Sequence, residues 1–383
     1  MVIIFSDTGE KKRKVFDKFT LNELGGAFGD WGTLIPFLIG YISIVKFNPA
    51  GLLICLGLTN VLLGIKFDLP LPVQPQKTIA SISIAQRWTL NEVISTGFGT
   101  GIVWFVLGFS KYLNKIVSKV PNILVKGIQL GLSFILGWNA IFMLQENILL
   151  GVISLVIIIS LIKFEKAPSS IILMILGICI LLFSGEINII NFGLSFPKIE
   201  IIFPSISNIL IGMLYAGIGQ LLLTMTNVMI ATISLVKELF PDRKEQIDAN
   251  DLATNMGLIN LISPFFGGIP LCHGSGGLAA QYAFGARTGG SMIFEGVFEI
   301  ILALFFSETI FELFINFPMS ILAAMLIYTA ILLGKIAFSN LNRKKLPIVI
   351  ISAIFCLVFN IAIGFFIGLG LYLIYKRLKL IDT

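Results

Sequence analysis

Apolar runs long enough to cross a bilayer recur along almost the whole of this chain, and they decide its fold class. A spanning helix needs about 20 mostly apolar residues. Such runs read at 22–45, 49–66, 91–111, 121–143, 147–164 and 168–184, and again at 209–239, 251–266, 290–306, 317–335, 346–359 and 361–375. Only 13% of the 383 residues are charged, against about 25% in an ordinary soluble domain, and the mean hydropathy is +0.97. A soluble core could not bury that much apolar side chain, whereas a bilayer solvates it from outside. The expected class is an all-α, multi-pass integral membrane protein, with the plasma membrane as its expected location.

Two further segments are too short and too interrupted to be ordinary spans. One, at 69–86, reads LPLPVQPQKTIASISIAQ; the other, at 267–287, reads GGIPLCHGSGGLAAQYAFGAR. Each opens with Pro or Gly chemistry that resists helix and then turns into a short helical run. Each is also the third element of its half, after two spans and before four. The halves are residues 19–184 and 207–383, joined by a polar, extracellular linker at 185–206, after a basic cytoplasmic N-terminus at 1–18. Seven elements per half is an odd number, so the second half lies inverted relative to the first. The predicted architecture is therefore fourteen transmembrane elements in two inverted seven-element repeats, with elements 3 and 10 as broken half-helices. Paired interruptions of this kind point to a secondary transporter's binding site.

The basic residues test this topology. With both termini cytoplasmic, 23 of the 27 Lys and Arg fall inside, three (Lys46, Arg87, Lys198) outside, and Lys77 alone at membrane depth. That is the positive-inside pattern, so the net charge of +6 reflects orientation and no nucleic-acid partner is expected. The first apolar run is longer than a secretory signal core and lacks a small-residue cleavage site, so no removable signal is expected. Cys55, Cys179, Cys272 and Cys356 are far apart and form no metal-ligand spacing, so neither disulfides, a metal site nor a cofactor is expected.

Non-helical backbone at membrane depth survives only where protein or water satisfies it. Pro70, Pro72 and Pro75 impose an extended approach, after which a helix opens with the amides of Gln76, Lys77 and Thr78. In the second segment Gly274, Gly276 and Gly277 let backbone approach a ligand, and free amides around Ser275 open a short helix. Two helix N-termini facing one cavity make an anion site, each contributing about half a positive charge. For a divalent oxyanion, Lys77, a co-transported proton or a bound cation completes the neutralisation. Asp30, in GGAFGDWGT, reads either as the carboxylate that couples transport to an ion or as a partner for Lys77. Glu23 reads as a second coupling carboxylate or as an interface residue. His273, the only histidine, contacts the anion, senses protons, or is a hydrogen-bonded core residue. Glu295 and Glu299, one turn apart, either line a water path or bond helix to helix, and Arg287 reads as the cation ending a short helix.

Four stretches carry a family resemblance: ELGGAFGDWGTLIPFLIGY from Glu23, LPLPVQPQKTIA from Leu69, QLLLTMTNVMIA from Gln220 and CHGSGGLAAQYAFGARTGG from Cys272. They resemble the molybdate transporter family, related to the SulP sulfate permeases. The resemblance implies molybdate uptake by the fourteen-element fold, with elements 1–4 and 8–11 as a core domain against a gate domain, and a possible homodimer. The expected function is secondary active import of molybdate. Gln74, Gln76, Lys77, Thr78, Asn227, His273, Gly274, Ser275, Gly276 and Gly277 would surround the anion, with Asp30 and Glu23 coupling it to a proton or sodium. The alternatives are sulfate, tungstate or another oxyanion as cargo, or an uncoupled anion channel. No HExxH, GxSxG or P-loop is present, so neither an enzyme nor a self-contained ATP-driven pump is expected.

Overall fold

A computed structural model describes residues 19–110, 113, 121–161, 169–184, 199, 201–243, 246–339 and 341–380. The predicted N-terminal segment 1–18 and linker residues 185–198 and 200 lie outside the described residues. In chain order the elements are α1 (Leu21–Ala27), α2 (Trp31–Ser43), α3 (Pro49–Phe67), β1 (Val73–Pro75), α4 (Lys77–Gln86), α5 (Leu90–Phe109), α6 (Asn122–Leu144), α7 (Ile148–Leu161) and α8 (Ser169–Ser184). They continue as α9 (Ile206–Leu239), α10 (Ala249–Ile262), β2 (Leu271–His273), α11 (Ser275–Ala283), α12 (Gly290–Ile315), α13 (Met319–Phe338), α14 (Leu346–Val358) and α15 (Ile361–Arg377). By length and composition five helical stretches among the described residues could cross a membrane, and α2 and α8 are shorter apolar helices. Leu62, Val106, Leu149 and Phe366 stand exposed on the outer faces, where lipid rather than water suits them.

Local chemistry starts several of these helices. Pro49 occupies the first turn of α3, where its missing N–H is harmless, and Asn48 accepts the Ala50 N–H at 2.9 Å. Capping boxes start α5 (Thr89 with Glu92) and α10 (Asp248 with Asp251). Three boundaries differ from the sequence reading. The first span breaks at 28–30, which sets Asp30 at the head of α2 without its side chain capping that helix. The spans expected at 121–143 and 147–164 form one 40-residue helical stretch, interrupted only by the tight turn Gln145–Asn147. The span expected at 290–306 runs on to Ile315. Within α9, wide turns at Met213–Gly217 and Met225–Thr232 bend the register without ending the helix.

Two close helix pairs frame the centre. In α3 against α12, a Cβ at Gly57 would lie 2.5 Å from Gly296 O. In α5 against α10, a Cβ at Gly101 would lie 2.9 Å from the Asn260 carbonyl carbon. Only small residues allow such approach, as membrane helix interfaces favour. Between the pairs, β1 and β2 run antiparallel, with Val73 opposite His273, Gln74 opposite Cys272 and Pro75 opposite Leu271.

Candidate functional site

The extended arms of the two interrupted elements satisfy one another. Beyond the ladder, Gln76 N–H donates to Pro270 O at 2.8 Å. The remaining strand groups are met by two asparagines from the framing helices. Asn60 Oδ1 accepts the Val73 N–H at 3.0 Å, while Asn260 both accepts from Leu271 N (2.8 Å) and donates to Leu271 O (2.7 Å). Buried backbone that would otherwise be costly is thereby paired. Because the strands are antiparallel and each leads directly into its helix, α4 and α11 start beside one ladder and run apart from it. The Lys77 side chain spans the gap between their starts: a Cβ at Gly276 would lie 4.0 Å from Lys77 Nζ.

Between these starts and α9 lies a narrow cavity of about 280 Å³, lined by Gln74, Pro75, Lys77, Gln220, Leu223, Thr224, Asn227, Val228, Cys272, His273 and Gly274. Most of that figure is crevice, and the free centre is about the size of one water. Its polar wall offers an ammonium, amides and a hydroxyl, and among the described residues no carboxylate lines it. Asn227 bridges to α11: its Oδ1 accepts from Ser275 Oγ at 2.9 Å, and its Nδ2 lies 3.9 Å from a Cβ built at Gly274. Gln220 Oε1 accepts the first-turn Thr78 N–H at 2.8 Å, and Gln220 Nε2 donates to Thr224 Oγ1 at 2.9 Å. Gly276 is exposed and Lys77 half-buried, so the cavity opens along that face of α11.

Other predicted residues stand back from the cavity or turn away from it. Gln76 is fully buried and donates to Thr100 Oγ1 and Leu271 O, each at 3.2 Å. The Thr78 hydroxyl is buried with no partner among the described residues. The His273 ring faces the loop before β1, with Nδ1 3.2 Å from Leu71 O and the ring edge-on to Phe67. At Gly277 a Cβ would meet Pro72 Cγ at 2.9 Å, so tight packing within the protein accounts for that glycine. Glu23 is buried and caps the start of α12, accepting from Arg287 N (2.9 Å) and Ser291 N (3.2 Å). Arg287 donates to the Tyr282 and Ala286 carbonyls and covers the Tyr282 ring at the end of α11.

Asp30 makes its hydrogen bonds elsewhere than to Lys77. Its Oδ2 accepts from Gln74 Nε2 at 2.7 Å and its Oδ1 from Gln281 Nε2 at 3.3 Å. Gln281 also donates to Glu295 Oε2 at 2.7 Å, Trp31 Nε1 donates to Glu295 Oε1 at 3.0 Å, and Asn60 Nδ2 donates to Glu299 Oε2 at 3.2 Å. Gln281, Asn60, Asn260 and Gln220 are the organising polar residues the sequence reading leaves out of the site. Their one visible signal is an amide side chain inside an apolar helix.

Comparison with known proteins places this geometry. A sequence profile described as "Molybdate transporter of MFS superfamily" matches residues 22–136 and 212–333, which hold the cavity, the ladder and the buried carboxylates. The chain belongs to the molybdate transporter family. Among its relatives, Molybdate transporter 2 of Arabidopsis thaliana is 29% identical, covering 93% of this chain and 87% of that one. Molybdate transporter 1 of Chlamydomonas reinhardtii is 24% identical, over 95% and 93% of the two chains. As for fold, the transmembrane domain of a cyanobacterium bicarbonate transporter, BicA, superposes with TM-score 0.67 at 15% identity, covering 91% of this chain and 97% of that one. Murine Slc26a9, an anion transporter solved in the inward-facing state, superposes with TM-score 0.71 at 12% identity, over 96% and 70%. This member of the molybdate transporter family is a helical transmembrane transporter with the fold of those anion transporters.

Proposed function

We propose that this protein is a secondary active importer of molybdate, holding the anion between the N-termini of α4 and α11. The observation that carries the reading is the carboxylate-free cavity between two helix starts, with Lys77 in its wall. Two helix N-termini of about half a charge each and one ammonium sum to about +2, which matches a tetrahedral dianion. Lys77, Ser275, Gly276 and Asn227 then form the anion's surroundings, with Gln74, Gln220 and Thr224 adjoining. Gln76, Thr78 and Gly277 shape the site from behind, and His273 supports the strand ladder. The free centre is too small for the anion in this arrangement, so binding requires Lys77 and Gln220 to move outward and release the first-turn amide of α4.

We further read the fold as two inverted seven-element repeats, with α1–α5 and α9–α12 as the core. The second helix of each half supplies the asparagine that holds a strand arm, Asn60 in α3 and Asn260 in α10. The glycine-mediated pairs α3–α12 and α5–α10 are the same contact under such a two-fold. The positive-inside pattern sets both termini in the cytoplasm, so the opening beside Gly276 leads inward.

Import of a dianion against an inside-negative potential costs about 2.3 kcal/mol per charge per 100 mV, about 4.6 kcal/mol in all, so an uncoupled pathway would expel the anion. Asp30, joined to the cavity wall through Gln74, ties the site to the coupling ion. The test is uptake of radiolabelled molybdate into proteoliposomes of purified protein, with and without an inward proton or sodium gradient and with sulfate and tungstate as competitors. The proposal expects uphill accumulation with one gradient and weaker competition by sulfate than by tungstate. Flux that only follows the molybdate gradient would mark a channel, and preferential sulfate uptake would replace the cargo.

A further inference from the structure

We propose that Glu299, two to three turns inside α12, is the proton-loading group of the transport cycle, with Asp30 and Glu295 as its acidic neighbours. This rests on the coupling assigned under the proposed function, and it names a residue and an ion that the reading leaves open. Three carboxylates share one dry region: Asp30, Glu295 and Glu299 are 2%, 0% and 1% exposed. Among the described residues no lysine, arginine or histidine forms an ion pair with any of them. Nor, among those residues, does a group of three His, Cys, Asp or Glu converge as metal ligands would. A proton is therefore the cation the arrangement suits.

The hydrogen-bond donors separate the three. Both oxygens of Asp30 accept an N–H, from Gln74 and Gln281, and both oxygens of Glu295 do so, from Trp31 and Gln281. Gln281 is held in place for this, its own Oε1 accepting from Ser291 Oγ at 2.9 Å. Among the described residues Glu299 has one donor only, Asn60 at Oε2, and its Oε1 is buried with no partner. N–H donors favour the ionised form of a carboxylate, whereas a bare buried oxygen is far less costly on a neutral acid than on an anion. With two other buried acids nearby and an empty oxygen of its own, Glu299 is where a proton entering the cluster comes to rest.

The same contacts link that proton to the anion site. Asn60 donates to Glu299 and accepts from Val73 N–H, so it joins the acid to β1, the arm that carries Gln74 and leads into Lys77. Glycine contacts between α3 and α12 keep this joint tight, a Cβ at Gly57 lying 3.2 Å from Glu299 Cβ. Losing the proton leaves a charged Oε1 with no donor, and the nearest remedy is a shift of Asn60 that would release Val73 and loosen the arm.

The test combines infrared spectroscopy and transport on purified full-length protein. Difference spectra in lipid nanodiscs, between about pH 8 and about pH 5, should show a protonated-carboxyl band in the wild type. The band should be lost in Glu299→Gln, kept in Glu295→Gln, and shifted but present in Glu299→Asp, which reports on the site if the glutamine variant fails to fold. In proteoliposomes, Glu299→Gln, a mimic of the protonated acid, should keep molybdate exchange. It should lose the accumulation driven by a proton gradient, about tenfold per coupled proton for each pH unit. A wild-type band that is absent, a band that persists in Glu299→Gln, or gradient-driven accumulation unchanged in that variant overturns the proposal. A wild-type protein that shows the Glu299 band yet moves no molybdate overturns the cargo and leaves the proton site standing.

Discussion

Gln74 Nε2 lies 2.7 Å from Asp30 Oδ2, so the residue that lines the cavity beside Lys77 is also the strongest hydrogen-bond partner of a carboxylate buried at the break in the first span. One side chain thus touches both the proposed anion site and the buried acids. Gln74→Leu should leave the Asp30 oxygen without its donor, at about 1.5–3 kcal/mol for a hydrogen bond to a charged group. Gradient-driven molybdate uptake should fall by about tenfold or more, while Gln74→Glu, which brings a second acid to Asp30, should fall further. Initial uptake rates in proteoliposomes check both.

Among the described residues Lys77 carries the only formal positive charge in the cavity wall. Lys77→Ala should raise the molybdate dissociation constant by about 30-fold or more, the scale of truncating one partner of a buried charge contact. Lys77→Arg should recover part of it, since the charge returns but the bulkier fork crowds a water-sized cavity. Calorimetric titration of the purified variants measures this, and unchanged affinity in Lys77→Ala would remove the anion from this place.

Asn260 makes two hydrogen bonds to Leu271 and a third, from the same Nδ2, to Met256 O at 2.7 Å. Asn260→Leu should destabilise the protein by about 2–4 kcal/mol, because it strands a buried backbone N–H and C=O at once. A lower thermal midpoint in detergent, with a larger drop than Asn139→Leu, is the expected outcome; among the described residues Asn139 bonds only Ile135 O of its own helix.

A Cβ at Gly57 meets Gly296 O at 2.5 Å, with Ile300 Cγ1 at 2.8 Å. Gly57→Ala should therefore push α3 and α12 apart and cost about 1–3 kcal/mol. The strain falls beside Glu299 and Asn60, so proton-driven uptake should drop more than molybdate exchange. Paired uptake and exchange assays on the same preparation compare the two.

The helical fold and the two interruptions are visible in the chain because proline and apolar length act locally. Pro70, Pro72 and Pro75 forbid helix wherever they fall, and a run such as 317–335 has few alternatives to a spanning helix. The three-residue ladder was hidden, because VQP and LCH carry no strand pattern and pair only because both arms lack helical partners. The partner of Asp30 was hidden for a related reason. Opposite charge suggested Lys77, but Lys77 turns to the cavity and the amides of Gln74 and Gln281 take the carboxylate. An amide residue in an apolar helix looks the same whether it bonds its own turn, as Asn139 does, or holds another element, as Asn60 and Asn260 do. Glu23 reads from the sequence as a coupling carboxylate or an interface residue; only the fold shows it spent on the start of α12.

Where the anion rests can be seen directly, because molybdenum is located by its anomalous scattering in crystals of the protein grown with molybdate. A peak between the first turns of α4 and α11, within contact of Lys77 Nζ and the Ser275–Gly276 backbone, is the predicted result. A protein saturated with molybdate whose only peaks lie outside that cavity would contradict it.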